Sequence, residues 1–243
     1  MNHPSKPQKH QIFPLFALSR SIYLKSQLTI HFYHFILEAV LRGIKKAIAV
    51  EVLKHQPENV LDVCCGTGAQ LKLISSRGIP GIGIDLDKTM IKFAARKNPP
   101  ASFLVADALS MPFKEASFSL IIISFALHDK PEKTRLQIME ETKRTLQPDG
   151  HILILDFENP WNKHSRIGAI LRTTIEMLAG REHFHNGRDF LRRGGVTDFI
   201  RRHGLQAERQ RRFPLAGSVL ISARKNYRRD SLKVIFSEQF LDF

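Results

Sequence analysis

The chain has 243 residues, of which 43% are hydrophobic, enough for one α/β core with an elaboration rather than two independent folds. No apolar run approaches the ~18 residues needed to cross a bilayer, so we expect a soluble, cytoplasmic protein. The net charge of +14 favours an anionic partner, such as a membrane surface or a nucleic acid, without deciding between them.

The first 56 residues are predicted to form a tail and a helical cap. Residues 1–11 are polar and contain two prolines, which predicts a flexible tail without the apolar region of a signal peptide. Residues 12–56 mix apolar and basic side chains. From Phe32 onward the apolar positions recur every three or four residues, as in helices with one solvated face. The same pattern also fits a helix that merely covers part of a sheet.

Three consecutive predicted strands end in an acidic residue or a glycine turn. Strand 59–64 leads into Gly66 and Gly68 at the start of helix 67–77, strand 81–85 ends in Asp85, and Asp107 follows strand 102–106. Open α/β sheets bind ligands at the carboxyl ends of their strands. Glycines let a ligand approach the backbone, and the amides of the following helix favour a polar, nucleotide-like ligand. The sequence therefore predicts one ligand site at this edge.

The rest of the chain continues the alternation and then departs from it. The β-branched run 117–125 predicts a strand buried on both faces. An amphipathic helix over 132–146 is predicted to turn Leu136, Ile138 and Met139 inward, ahead of a strand over 150–157. A helical insertion near 159–203 is expected to contain helices 167–179 and 196–203. Segments 205–213 and 218–224 predict an antiparallel pair, and 226–243 is a basic, then apolar, C-terminal tail.

Four segments, 60–68, 83–85, 106–108 and 146–154, occur in the order of the motifs of one enzyme family. They resemble class I methyltransferases that use S-adenosylmethionine, over about residues 58–157. The resemblance implies a Rossmann-like, doubly wound, mostly parallel seven-stranded sheet in the order 3-2-1-4-5-7-6, within a core spanning 57–225. It also implies that the N-terminal cap closes over the cofactor. Cys64 replaces the first glycine of the usual G-x-G-x-G, and Pro148-Asp149-Gly150 replaces the commoner Pro-Gly-Gly.

The same resemblance implies S-adenosylmethionine as the cofactor and assigns its contacts. Asp85 is expected to bind the ribose hydroxyls, Asp107 and the Ala108 amide the adenine, and Asp62 with the two glycines the methionine end. The full cofactor-binding set comprises Asp62, Cys64, Gly66, Gly68, Asp85, Leu86, Asp107, Ala108 and Ser124. An acid at the end of a strand can also cap the next helix, although three acids at three strand ends favour ligand binding.

His128, after the fourth core strand, is the candidate catalytic base or acceptor-orienting group, because imidazole changes protonation near neutral pH. The alternative is a structural histidine that caps the next loop. The pairs His31/His34 and His183/His185 are spaced three and two residues apart, a pattern that more often lines a surface or pocket, and we predict no metal site. Cys64 and the adjacent Cys65 exclude a disulfide framework, and we interpret them as small residues packed beneath the cofactor.

The sequence specifies the methyl acceptor less closely than it specifies the cofactor. Segments 153–157 and 215–225 are similar to quinone-biosynthesis C-methyltransferases and their relatives that act on lipids. This similarity implies a small, apolar or membrane-associated acceptor, either a quinone precursor or a lipid headgroup, and peripheral contact with an anionic membrane. RNA methylation, suggested by the charge but without a base-flipping signature, and a non-catalytic cofactor-binding scaffold are the alternatives. The sequence leaves the methylated atom and the oligomeric state open.

Overall fold

The computed structural model describes residues 27–226, in which strands and helices alternate along most of the chain. In chain order the elements are α1 (Gln27–His55), β1 (Val60–Val63), α2 (Ala69–Ser75), β2 (Gly81–Asp85), α3 (Lys88–Lys97), β3 (Ser102–Val105), β4 (Phe118–Ser124), α4 (Glu132–Thr145), β5 (Leu146–Phe157), α5 (Lys163–Ala179), α6 (Arg181–Arg192), α7 (Gly195–Arg202), β6 (Leu205–Phe213) and β7 (Ser218–Lys225). The predicted tail 1–11, the first part of the predicted cap, and the C-terminal tail beyond residue 226 lie outside the described residues.

All seven strands form one sheet in the order β3-β2-β1-β4-β5-β7-β6, which confirms the predicted order. β1 to β5 pair in parallel, whereas β7 runs antiparallel to both β5 and β6, so the sheet is mixed rather than wholly parallel. In the register of β1 and β4, Val63 pairs with Ile123. The residues that follow these two strands therefore leave the sheet side by side.

Two apolar cores, one on each face, hold the sheet between layers of helices. Because side chains alternate along a strand, each buried strand feeds both cores. One core unites α4, α6 and α7 with one face of the central strands, and its members include Val63, Ile121, Ile123, Ile138, Ile154, Phe190 and Phe199. The other unites α1 and α2 with the opposite face, through Ile48, Val52, Val60, Leu71, Leu120, Ile122 and Leu153. This is the arrangement of a doubly wound α/β fold.

The C-terminal part of α1 covers one face of the sheet. Ile48 and Val52 are fully buried in the core that contains Leu71 of α2. The Gln70 side chain also donates a hydrogen bond to the backbone oxygen of Lys45 at 3.2 Å. From residue 41, where the described side chains of α1 begin, the helix therefore acts as a cover for the sheet. Closure of the predicted cap over a cofactor stays a prediction.

The prediction for the buried face of α4 was wrong at one position. Leu136 is exposed, and its neighbour Arg135 is fully buried instead. An arginine can occupy this position because its guanidinium bonds to carbonyls and carboxylates on three sides. Hydrophobic periodicity cannot anticipate a charged group that is buried by being paired.

One helix was missed, and two elements begin well before their predicted starts. α6 was not predicted, since its sequence from Arg181 to Arg192 is mostly polar. α5 begins at Lys163, earlier than expected, because Asn162 and Ser165 form a reciprocal capping box at its start. β5 begins at Leu146, four residues before the predicted start of this strand at residue 150.

Gly68, at the junction of β1 and α2, is required by both its backbone and its surroundings. Its φ of +69° lies in the left-handed region that disfavours side chains. A Cβ at this position would lie 2.5 Å from the Phe103 ring and 2.9 Å from Cβ of Ala94. Gly68 therefore lets α2, α3 and β3 pack closely around the turn.

We expect Gly68→Ala to lower the free energy of unfolding by about 2 to 6 kcal/mol, since backbone strain and overpacking each cost about 1 to 3 kcal/mol. The matched control is Gly78→Ala, because Gly78 has a φ of +80° and a Cβ there would meet nothing within 4 Å. The control should show the strain cost alone. Urea unfolding of both variants measures the difference, and equal losses would contradict the packing role of Gly68.

Candidate functional site

The turn after β1 is held by its own backbone and by β2. Cys64 has a φ of +57°, which turns the chain sharply as it leaves the strand. The amide of Cys65 donates to the backbone oxygen of Ile84 at 2.9 Å, and the amide of Gly68 donates to the oxygen of Cys65 at 3.0 Å. A Cβ added to Gly66, which has a φ of +53°, would meet nothing within 4 Å. The Gly66 side of the turn therefore faces open space.

Asp85 closes β2 and connects it to this turn. One carboxylate oxygen accepts from the Gly66 amide at 2.9 Å, and the other accepts from the Asp87 amide at 2.9 Å. Each oxygen of a carboxylate has two acceptor positions, so these bonds occupy half of the capacity of Asp85. With respect to residues 27–226, the half-buried carboxylate thus retains one acceptor direction on each oxygen.

Asp62, in the middle of β1, is almost completely buried and only partly satisfied. Its Oδ2 atom has no hydrogen-bond partner among the described residues. Burial raises the pKa of Asp62 to about 7, and the nearby negative charge of Asp85 raises it further. A buried acceptor without a donor is costly to the fold, which makes it a feature that a ligand with a donor group would relieve.

The remaining predicted cofactor residues lie at the same edge of the sheet. Leu86 follows β2 and is exposed, which leaves an apolar side chain at the rim. Asp107 is exposed and accepts from the Leu109 amide at 2.9 Å, while Ala108 is buried. Ser124 is the last residue of β4. The structure thus brings the whole predicted set to the carboxyl edge.

The two cysteines are poor nucleophiles in this structure. Burial raises the pKa of the Cys64 thiol to about 12, and burial also raises the pKa of Cys65 well above its usual range. The charges of Lys130 and Asp129 act on Cys64, because the loop after β4 lies close to the turn after β1. Neither thiol has the thiolate character that redox chemistry requires.

The loop after β4 presents His128 against a carboxylate from β5. Nδ1 of His128 lies 2.7 Å from Oδ1 of Asp156, and both residues are buried. The other Asp156 oxygen accepts from the backbone amides of Leu127 and His128. A carboxylate on Nδ1 fixes the ring orientation and stabilises a positively charged imidazole. Sequence reasoning gave Asp156 no role, since an acid near the end of a strand carries no signal of its partner.

Aromatic side chains surround His128. Its ring lies 4.2 Å from the Phe157 ring and 6.4 Å from the Phe125 ring, measured between centroids. His183, on α6, lies 5.3 Å from His128 and has a pKa lowered by burial and by the neighbouring imidazole. Phe125 has a φ of +53°, the second such turn at this edge after Cys64. Aromatic rings therefore line part of the surroundings of the imidazole, beside the carboxylate of Asp156 and the ring of His183.

Arg135 ties this loop to α6. Its guanidinium donates to the backbone oxygens of Leu127 at 2.9 Å and Asn186 at 2.7 Å. It also pairs with the carboxylate of Asp189 at 3.0 Å. Because Asn186 and His183 share α6, this buried arginine fixes the helix that carries His183 relative to the loop that carries His128.

No group of three or more histidine, cysteine or acidic side chains suited to a metal was found among the residues that the structure describes. His183 contacts His128 rather than forming a ligand set with His185, whose ring lies beside Phe184. The side chains of His31 and His34 lie outside the described part of α1.

Residues 60–150 match the model of a family described as a methyltransferase domain. This match supports a class I methyltransferase domain in this region. Its motifs therefore imply S-adenosylmethionine as the cofactor, in agreement with the resemblance drawn from the sequence.

Curated relatives of the methyltransferase domain are named demethylmenaquinone methyltransferase. The protein from Deinococcus radiodurans is 31% identical over 150 residues, covering 58% of this chain and 59% of that protein. The protein from Thermotoga maritima is 28% identical over 142 residues, covering 56% and 61%. The first matches span between 40% and 61% of the relatives' length.

Solved structures share the fold at low sequence identity. A protein from Pyrococcus horikoshii is 17% identical with a TM-score of 0.56, covering 88% of this chain and 99% of that one. An S-adenosylmethionine-dependent methyltransferase from Methanosarcina mazei is 18% identical with a TM-score of 0.53, covering 69% and 92%. These likenesses support a Rossmann-like methyltransferase fold.

Three features of the methyltransferase domain fit S-adenosylmethionine. Asp85 retains acceptor directions for a pair of hydroxyls, and Gly66 leaves open space in front of the turn. The partnerless oxygen of Asp62 would suit a donor on the ligand.

No helix in residues 27–226 combines the length and the apolar character needed to cross a membrane.

The titration of Asp62 predicts a pH dependence of stability. The folded carboxyl has a pKa of about 7, whereas the unfolded value is near 3.8, so the folded state holds a proton that the unfolded state loses. The free energy of unfolding should therefore fall as the pH rises from about 4 to 7, by at most about 1.4 kcal/mol per pH unit. Asp62→Asn should remove this fall.

Urea unfolding of the cofactor-free protein at a series of pH values tests this expectation. The stability of Asp62→Asn relative to the unsubstituted protein should rise with pH and level off above about 7. Two parallel pH curves would show that the carboxyl of Asp62 titrates normally.

Proposed function

We propose that this protein transfers the methyl group of S-adenosylmethionine to a small apolar acceptor that carries an acidic hydroxyl, such as the quinol form of a quinone precursor. The observation that carries the proposal is the buried contact between His128 and Asp156 at the carboxyl edge of the sheet. The relatives named demethylmenaquinone methyltransferase support this acceptor class. A lipid headgroup, the other acceptor suggested by the sequence, lacks an aromatic ring with an acidic hydroxyl.

In this proposal the cofactor is held by the strand ends. The free acceptor directions of Asp85 take the ribose hydroxyls, and Asp107 with the Ala108 amide takes the adenine. Asp62 and Gly66 lie at the methionine end, with Cys64, Gly68, Leu86 and Ser124 completing the set. When bound, the cofactor supplies an electrophilic methyl group, and the protein supplies alignment and a base.

His128 is the proposed base. Asp156 contacts Nδ1, so Nε2 is the ring nitrogen that takes the proton from the acceptor hydroxyl. The negative charge of Asp156 stabilises the resulting imidazolium. Removal of this proton makes the acceptor ring electron-rich and able to attack a methyl group.

The rings of Phe125 and Phe157 are the proposed walls of the acceptor site. Both lie within 6.4 Å of the His128 ring. Apolar walls exclude water around the acceptor, which strengthens the contact between the imidazole and the carboxylate. They also favour a flat aromatic acceptor over a charged one.

We expect Asp85→Ala to weaken cofactor binding by about 1.5 to 3 kcal/mol, the range for losing hydrogen bonds to a charged group. Asp87→Ala is the matched control, because Asp87 caps α3 through the amides of Thr89 and Met90. The control should lose about 1 kcal/mol of stability and keep its cofactor affinity. Calorimetric titration measures both, and an unchanged affinity of Asp85→Ala would refute its ribose role.

We expect His128→Ala to lower kcat by about 10² to 10⁴, the contribution typical of a general base, while cofactor affinity is retained. Asp156→Asn should also lower kcat, because the His128 imidazole then loses the carboxylate that stabilises its positive charge. His185→Ala is the control, because His185 is an exposed histidine two positions from His183. Its activity should be unaffected.

Acceptors with hydroxyls of graded acidity separate a base from a structural histidine. The defect of His128→Ala should shrink as the acceptor hydroxyl becomes more acidic, because less proton removal is then left to the protein. A defect that is the same for every acceptor would mean that His128 only supports the loop.

Labelled cofactor distinguishes the acceptor classes. Incubation with demethylmenaquinol, with phospholipid and with RNA should place the label in the quinol product. Label found only in RNA would support the nucleic-acid alternative. Cofactor binding without turnover of any of the three would support the scaffold alternative.

A further inference from the structure

Helix α5 exposes a stripe of aliphatic side chains to solvent. Ile167, Ile170 and Met177 are 58%, 70% and 63% exposed. Their spacing of three and seven residues places them on one side of the helix. The buried residues Ser165 and Arg172 lie on the other side. The stripe is therefore a consistent face of the helix rather than scattered apolar residues.

The stripe is held outward by contacts on the opposite side of α5. A Cβ on Gly168 would lie 2.2 Å from the backbone oxygen of Pro214, so the helix packs directly on the turn between β6 and β7. Arg172 donates to the backbone oxygens of Glu158 and Gly217 at 3.2 and 3.3 Å. These contacts leave α5 little freedom to rotate its apolar face inward.

Further apolar and basic groups extend this face. Leu215, in the turn on which α5 packs, is 56% exposed. Lys163 and Arg166 are exposed and lie on the same side of α5 as the stripe. We call Ile167, Ile170, Met177, Leu215, Lys163 and Arg166 together the α5 patch.

The α5 patch lies at the same edge of the sheet as the candidate site. Phe157, the last residue of β5, pairs with Ser218, the first residue of β7. The turn containing Leu215 therefore reaches the carboxyl edge of β5, and α5 packs against it. If the protein docks on a surface through this patch, the carboxyl edge of the sheet, where the candidate cofactor residues lie, is turned toward that surface.

We propose that the α5 patch docks the protein on an anionic lipid surface. Aliphatic side chains that insert at the headgroup boundary, flanked by basic residues, are typical of helices that lie on membranes. A second copy of the chain is a less suitable partner than a lipid surface. A two-fold contact between two copies would place the basic groups of one patch against those of the other, and like charges repel. Proteins that bind single-stranded nucleic acid combine a basic groove with aromatic side chains on which the bases stack, whereas this stripe is aliphatic.

This proposal deepens the proposed function, since an apolar acceptor would be taken from the same lipid surface. It rests on that function only for its biological purpose. Membrane docking is measured without cofactor or acceptor, so its failure and the failure of methyl transfer can be told apart.

Sedimentation of the full chain with vesicles tests the proposal. The protein should bind vesicles that contain phosphatidylglycerol much more tightly than vesicles of phosphatidylcholine alone. Ile167→Ser combined with Met177→Ser should weaken binding at least ~10-fold, because neither position can then bury an aliphatic side chain in the membrane. Lys163→Gln combined with Arg166→Gln should weaken it about 5-fold per charge and flatten its dependence on salt.

Matched controls lie at the far end of the sheet. Leu104→Ser removes a 42% exposed leucine from β3, the edge strand most distant from β6. Lys92→Gln with Arg96→Gln removes two exposed charges from α3. Both controls should bind vesicles as the unsubstituted protein does.

Three results would overturn the proposal. The first is an unsubstituted protein that does not bind anionic vesicles. The second is equal loss of binding in the patch and control variants, which would indicate a non-specific effect of charge. The third is vesicle binding that survives both patch variants while sedimentation equilibrium shows that they abolish self-association, since the patch would then join two copies of the chain.

Discussion

The fully buried carboxylate of Asp156 organises the side of the site where an acceptor would bind. It lies opposite Nδ1 of His128 at 2.7 Å and accepts from the amides of Leu127, His128 and Phe157. A buried charge is tolerated only when donors surround it, so the loop after β4 must follow a path that supplies them. The same set of bonds that stabilises the charge therefore fixes the imidazole. The hydrogen bonds to Asp156 therefore set both the path of the loop and the orientation of the His128 ring.

Arg135 plays the corresponding role for the helical layer. Its guanidinium bonds to the loop after β4 and to α6, so the two segments that surround His128 are connected through one buried cation. The buried anion of Asp156 and the buried cation of Arg135 thus approach the same loop from the sheet and from the helices. Apolar packing alone would leave the relative position of loop and α6 less specific, because aliphatic contacts are not directional.

The sheet and the cofactor edge could be predicted because their signals are local. Asp85 and Asp107 stand at the ends of short apolar runs, and Gly66 and Gly68 mark the turn, so the strands and their carboxyl ends can be located along the chain. The order of the strands in the sheet followed from the family resemblance instead. The side of the site around His128 could not be predicted in this way. Asp156 lies 28 residues from His128, and their contact arises only from the pairing of β4 with β5. Likewise periodicity placed Leu136 inward, whereas Arg135 is the buried residue, because periodicity registers polarity but not pairing.

The antiparallel direction of β7 brings the α5 patch to the same edge of the sheet as the candidate site. In a wholly parallel sheet, the connection before the last strand would reach the amino edge, away from the ligand site. Here β7 starts beside the end of β5, so the turn before it returns to the carboxyl edge and supports α5 there. The insertion after β5 leaves the sheet at that same edge. The mixed topology therefore places the aliphatic and basic face of α5 beside the strand ends where the cofactor and acceptor residues converge, and a lipid-soluble acceptor would need only a short path between them.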